Sequence, residues 1–229
     1  SATVITGYSR EKLLSMSIRD ITTQETMANV LENFDQLKTT GIISMEAMFI
    51  HDTGLARWWS VDAVKLSENR YLCFTSDITE KKKAEAELFH LSYHDYLTGL
   101  YNRGYFEAEI KRVDIPSRLP LSVFIGDING VKLVNDTFGH AEGDRLIVDC
   151  AKIIGSCCRE KDTVARIGGD EFGILMPDTD NATAISILTK IQTALTAFNA
   201  STSKNKFTHS VSLGFGIKKT ANEDITQIL

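Results

Sequence analysis

The chain has no surplus of basic side chains: of its 229 residues, 25 are Lys or Arg and 30 are Asp or Glu, a formal net charge of −5. Binders of DNA or of anionic membranes carry excess Lys and Arg, so a general electrostatic grip on either is excluded. An anionic ligand must then be held locally, by a metal or by a few placed cations. Long apolar runs are also missing. Nothing approaches the roughly 18 apolar residues of a membrane span, and the first ten residues lack the apolar run of a signal peptide. Cysteine is scarce: Cys73, Cys150, Cys157 and Cys158 form no CxxC pair and have no His at ligand spacing, which speaks against a zinc site or a disulfide framework. A reduced, cytoplasmic setting is expected. The opening Ser-Ala-Thr-Val has no initiator Met and reads as a cut, with an upstream membrane anchor left open. At 43% hydrophobic and 24% charged, the chain is neither disordered nor collagen-like, and its length suits two small domains.

Three sections follow, together predicting an α+β protein. Residues 1–79 read as helices and then an antiparallel meander. Ile42–Ile50 and Trp58–Leu66 carry β-formers around a His51-Asp52-Thr53-Gly54 turn, and Tyr71–Thr75 follows as a third strand. His51 is expected to face solvent. Trp58 and Trp59 must point to opposite faces, one of them into the core. Residues 80–93 are a charged connecting helix with Thr79 as N-cap and a narrow stripe of Ala84, Leu88 and Leu91, suited to a solvated spacer or to a coiled-coil seam between two copies. From residue 94 to 229 helical and strand patterns alternate. Leu121–Ile125 is a buried strand, and Val164–Ile167 and Phe172–Met176 flank Gly168-Gly169-Asp170-Glu171, a hairpin whose glycines are expected to supply positive φ. Helices on one antiparallel-containing sheet result.

Chemistry concentrates in this last section. Asp127 ends the first strand, and Asp170 and Glu171 sit on the hairpin tip; if their strands are neighbours, the three acids meet. Carboxylates so gathered repel unless a cation or proton is present, and Mg²⁺ suits hard oxygen ligands and substrate phosphates. Lys132, Asn135, His140 and Asp144 follow within one short helix, its loop and the start of the next. Asn and Asp offer the acceptors and donors that read a purine, and a carboxylate can accept from guanine N1–H and N2–H₂. Lys132 could meet a phosphate. The alternative for Asn135 and Asp144 is helix capping.

These residues resemble a known family. Gly168-Gly169-Asp170-Glu171-Phe172 is similar to the signature of the GGDEF domains, the diguanylate cyclases. Asp95-Tyr96-Leu97-Thr98-Gly99-Leu100-Tyr101-Asn102-Arg103 resembles their entry motif, and the run from Gly126 through Asn135-Asp136, with Phe138-Gly139-His140 and Gly143-Asp144, resembles their nucleotide motif. Four motifs in order over about residues 93–229 make the likeness specific. It implies a palm-like domain with a central sheet flanked by helices, condensing two GTP into cyclic di-GMP and two pyrophosphates as an antiparallel homodimer. It further implies that Asp127, the Ile128 carbonyl and Asp170 hold Mg²⁺ or Mn²⁺, with Asp170 as proton acceptor and Glu171 as its alternative or a further metal ligand. Lys132, Asn135, His140 and Asp144 bind GTP. Arg159 and Asp162, in an RxxD five residues before Gly168, form an inhibitory product site. Asn129 stands where many members have a second Asp, and Gly104 where a second Arg is usual. The chain ends short of the family's ADxALYxAK helix, whose Lys and a following Arg contact the triphosphate. At about 1.5–3 kcal/mol for each charge-assisted bond, a roughly 10²- to 10⁴-fold weaker grip on GTP is expected. Residues 1–79 resemble the C-terminal part of a PAS sensor, through Gly7–Leu14, Trp58–Val61 and Asp77-Ile78-Thr79-Glu80. A binding module that holds nucleotide without turnover is the competing reading.

Overall fold

The computed structural model describes residues 2–201 and 207–228. The chain divides at 89/90 into two compact units, inside the segment expected as the connecting helix.

In the first unit three short helices, α1 (Ala2–Thr6), α2 (Arg10–Ser15) and α3 (Ile18–Ile21), precede α4 (Gln24–Thr40). Gly41, at φ +82°, ends α4 in the left-handed conformation and donates to the Leu37 carbonyl at 3.0 Å, the usual glycine stop. Strands β1 (Ile42–Ile50), β2 (Ala56–Ser67) and β3 (Arg70–Asp77) form the predicted meander in the order β1-β2-β3. The period-2 alternation turns Ile43, Ala47, Trp59, Val61 and Ala63 inward, into two small cores that include Val30 and Leu37 of α4. Trp59 is the buried tryptophan, stacked on Phe49 at 4.8 Å, and Trp58 is half-buried with Lys82 over its ring.

Two local expectations need correction. His51 does not face solvent: its side chain is only 13% exposed, and Nδ1 lies 2.8 Å from Asp52 Oδ1. Thr79 is the first residue of α5 (Thr79–Tyr93) rather than its cap. Asp77 supplies the acceptor, taking the Thr79 N–H at 2.9 Å, while the Thr79 hydroxyl accepts from Trp58 N at 3.0 Å and ties the helix start to β2. Leu88 and Leu91 on α5 are exposed.

The second unit holds the end of α5, then β4 (Tyr101–Asn102), α6 (Arg103–Val113), β5 (Leu121–Ile128), α7 (Val131–Phe138), α8 (His140–Cys157), β6 (Thr163–Arg166), β7 (Glu171–Met176), α9 (Asn181–Ser201) and β8 (Val211–Lys218). The strand order is β4-β6-β7-β5-β8, with β4/β6 parallel and the other pairs antiparallel. One face packs Phe124, Ile128, Phe172 and Ile174 against Leu146, Cys150 and Ile154 of α8 and Ile191 of α9. The other packs Leu121, Val123, Ala165 and Leu175 against Phe106 and Val113 of α6. Helices on both faces leave the strand ends as the place for chemistry. Among the described residues no helix is long and apolar enough to cross a membrane.

Gly173 on β7 gives Phe106 its seat, since a Cβ there would lie 2.6 Å from the ring's Cζ. Gly173→Ala is expected to destabilise the second unit by about 1–3 kcal/mol through overpacking, measured as a lower urea midpoint at unchanged slope.

Candidate functional site

β5 and β7 are adjacent antiparallel strands, and their register makes Asp127 and Glu171 cross-strand partners. The tip between β6 and β7 is closed by Ile167 N and Gly168 N, which both donate to the Glu171 carbonyl. It docks on the end of β5 through the Ile128 N–H, 3.0 Å from the Asp170 carbonyl. The sequence brings the three acids together as anticipated. Asp127's carboxyl is pushed above its ordinary value by burial first, then by the charges of Asp170 and Glu171.

The tip glycines serve a different end from the one expected. Neither Gly168 nor Gly169 has positive φ. A Cβ on Gly168 would overlap Glu171 Oε2, so the missing side chain makes room for the Glu171 carboxylate.

Sequence reasoning missed the residue that fixes this tip. Arg166 donates from Nε and Nη2 to the Gly169 carbonyl at 3.0 and 2.7 Å, and from Nη1 to Asp95 at 3.1 and 3.2 Å. Asp95 also accepts from Thr98 N and Oγ1. Burial alone would raise the Asp95 carboxyl, but the Thr98 bonds and Arg166 outweigh it and hold the pKa below its usual value. An arginine two residues before a Gly-Gly tip, with an unassigned Asp in the entry motif, was the available signal. Asn129 is likewise structural: Nδ2 donates to Ser210 Oγ at 2.8 Å and Oδ1 accepts from Ser212 Oγ at 2.9 Å, joining the end of β5 to β8.

Beyond β5, Gly130 (φ +81°) starts α7 and Gly139 alone (φ +88°) separates it from α8. Glycines occupy both cap positions, so Asn135 and Asp144 cap nothing. Instead the Asn135 amide lies directly over Gly143, its Oδ1 filling the place a Cβ would take. Asp144, the residue after Gly143 on α8, is exposed. His140 begins α8 rather than lying in a loop, and Lys132 is exposed on the first turn of α7.

Arg159 and Asp162 are paired with each other. The Arg159 N–H, Nε and Nη2 all donate to the Asp162 carboxylate at 2.8–3.1 Å, and the Asp162 side chain has no exposed surface.

Chemically, the Asp127, Ile128, Asp170 and Glu171 set is all oxygen. Among the described residues no three His, Cys, Asp or Glu side chains close into a metal cage. Mg²⁺ needs no such cage, since it is usually held by one or two carboxylates with water and substrate phosphates. The set therefore fits a divalent ion that completes its shell with water and phosphate oxygens.

The fold and site define an α+β domain with a mixed sheet flanked by helices and an acidic hairpin at its edge. Residues 92–229 match the family described as diguanylate cyclase, GGDEF domain, and the chain belongs to that family. It is 36% identical over 129 residues to the diguanylate cyclase DgcM of Escherichia coli K12, covering 54% of this chain and 31% of that protein. It is 33% identical over 142 residues to the cyclic di-GMP phosphodiesterase PdeB of Shewanella oneidensis, covering 61% and 16%. The crystal structure of the DgcB GGDEF domain from Caulobacter crescentus in complex with c-di-GMP is similar at a TM-score of 0.54 and 28% identity, covering 59% of this chain and 82% of that one. The chain thus spans under a third of these two curated relatives.

Arg166→Ala is expected to cost about 1–3 kcal/mol, because it strips partners from a half-buried carboxylate and a tip carbonyl. The Asp95 carboxyl has a lower pKa folded than unfolded. Its stabilisation is therefore present above about pH 4 and lost as pH falls through the folded value. The variant should show a shallower loss of stability below about pH 4 than the parent, in denaturant titrations across that range.

Proposed function

We propose that this chain is a diguanylate cyclase domain acting as an antiparallel homodimer on GTP, in a cytoplasmic setting. The observation that carries the reading is the pairing of Asp127 with Glu171 across β5 and β7, on a tip tethered by Ile128 N to the Asp170 carbonyl. Asp127, the Ile128 carbonyl and Asp170 would hold Mg²⁺ or Mn²⁺, with Glu171 as an alternative or additional ligand. Such an ion neutralises charge on the phosphates and favours in-line displacement.

The chain's own groups do the rest. Asp170, with Glu171 as the alternative, takes the proton of a GTP 3′-hydroxyl. The freed oxygen then bonds to the α-phosphorus of the facing nucleotide as the bond to pyrophosphate breaks; a second such step closes the ring. Asn135 and Asp144 read guanine, with Asp144 accepting from N1–H and N2–H₂. Lys132 meets phosphate and His140 lines the nucleotide. One chain serves one GTP, so the second copy supplies proximity.

The first unit is assigned here to the PAS sensor class, supported by its three-stranded meander and the Asp77–Thr79 exit turn. Product inhibition is assigned to Arg159 and Asp162. The likeness to a phosphodiesterase favours a second reading, nucleotide binding without turnover.

Incubated with GTP and Mg²⁺, the protein should accumulate cyclic di-GMP, and Asp170→Asn should lower the rate at least about 100-fold. Equal rates would overturn the proton and metal assignments. GTP binding by calorimetry with no product in either protein would establish the binding module instead. Gly143→Ala should push the Asn135 amide aside and raise KM for GTP about tenfold, the value of one lost hydrogen bond to the base, with kcat little changed.

A further inference from the structure

Thr179, at the turn from β7 into α9, touches the Arg159 site without belonging to its motif. Arg159 Nη2 donates to Thr179 Oγ1 as well as to Asp162 Oδ1. The Thr179 hydroxyl proton is committed elsewhere, to the Pro177 carbonyl at 3.0 Å, so a lone pair is left aimed at the guanidinium. Thr179 cannot drift. It is fully buried, its N–H donates to the Pro120 carbonyl at 2.7 Å, and its carbonyl accepts from Ser122 Oγ at 2.8 Å.

Asp162 is equally committed. Oδ2 takes the Arg159 backbone N–H and Nε, and Oδ1 takes Nε and Nη2. The Arg159 side chain is 35% exposed, and its Nη1 has no partner among the described residues. A cavity of about 250 Å³ opens there, lined by His94, Tyr101, Cys158, Arg159, Asp162 and Val164.

We propose that Thr179 is a positioning residue of the inhibitory site, holding Arg159 together with Asp162 so that Nη1 is presented to the bound cyclic dinucleotide. The guanidinium is ordered before the ligand arrives, so binding does not have to freeze a long side chain. This rests on the product-site reading above.

The test is the affinity for cyclic di-GMP, measured by calorimetry on the whole chain. Thr179→Val, which keeps shape and removes the hydroxyl, should weaken binding about five- to tenfold, and Thr179→Ser should bind within about twofold of the parent. Thr179→Ala makes the same comparison should the valine variant not fold. In an Arg159→Lys background Thr179→Val should add less than about twofold, because the group it positions is gone. Unchanged affinity in Thr179→Val, a serine variant as weak as valine, or an undiminished valine effect in the Arg159→Lys background would each overturn the proposal. Arg159→Ala separates the two levels. If it binds cyclic di-GMP like the parent, the product site itself is wrong; if it loses binding while Thr179→Val does not, only the role of Thr179 fails.

Discussion

Arg166 is the tie on which the acidic edge depends. A tip of two glycines and two acids has few side chains of its own to hold it, and the charges it carries push it away from Asp127. One guanidinium answers both difficulties. It takes the Gly169 carbonyl with two N–H groups and is itself braced by Asp95, which Thr98 pins in turn. The planar fork suits this better than an ammonium could, since three directions are satisfied by one rigid group. With the tip held, the Ile128 N–H can meet the Asp170 carbonyl, and the acids stand in register.

The same economy recurs at the opposite end of β7. There Asp178, a non-glycine residue at φ +52°, carries ion pairs to Arg118 and Lys161, and the next residue anchors on Pro120 and Ser122 at the start of β5. β5 is thus fixed at both ends by turns of its neighbour. Its start lies beside Thr179, which holds Arg159, and its end carries Asp127, so both clusters hang on one strand.

Much of this was legible in the sequence, for reasons that differ by element. The three strands of the first unit and β5, β6 and β7 announced themselves as short runs of apolar and β-forming residues bounded by turns. The acids were legible because a cross-strand pair needs only adjacency in the hairpin and one neighbouring strand. What stayed hidden were pairings between residues far apart in the chain: Arg166 with Asp95, 71 positions away, or Asn129 with Ser210 and Ser212. Local rules also misled where tertiary space decided. Gly168 was read as a φ requirement and is a clearance for Glu171, Thr79 was read as a cap and Asp77 does that work, and His51 on a polar turn is covered by its neighbours.

The seat of Asn135 on Gly143 bears on how such a domain can change over generations. Two residues on different helices occupy one volume, so neither is free to vary alone. A methyl gained at 143 pushes the amide at 135 from its seat, and once the amide is replaced by something smaller, nothing preserves the glycine. Drift at this corner is therefore coupled: the seat of the amide is given up whenever the helix contact is rebuilt, and a lineage that has changed both residues cannot recover the seat by a single reversal.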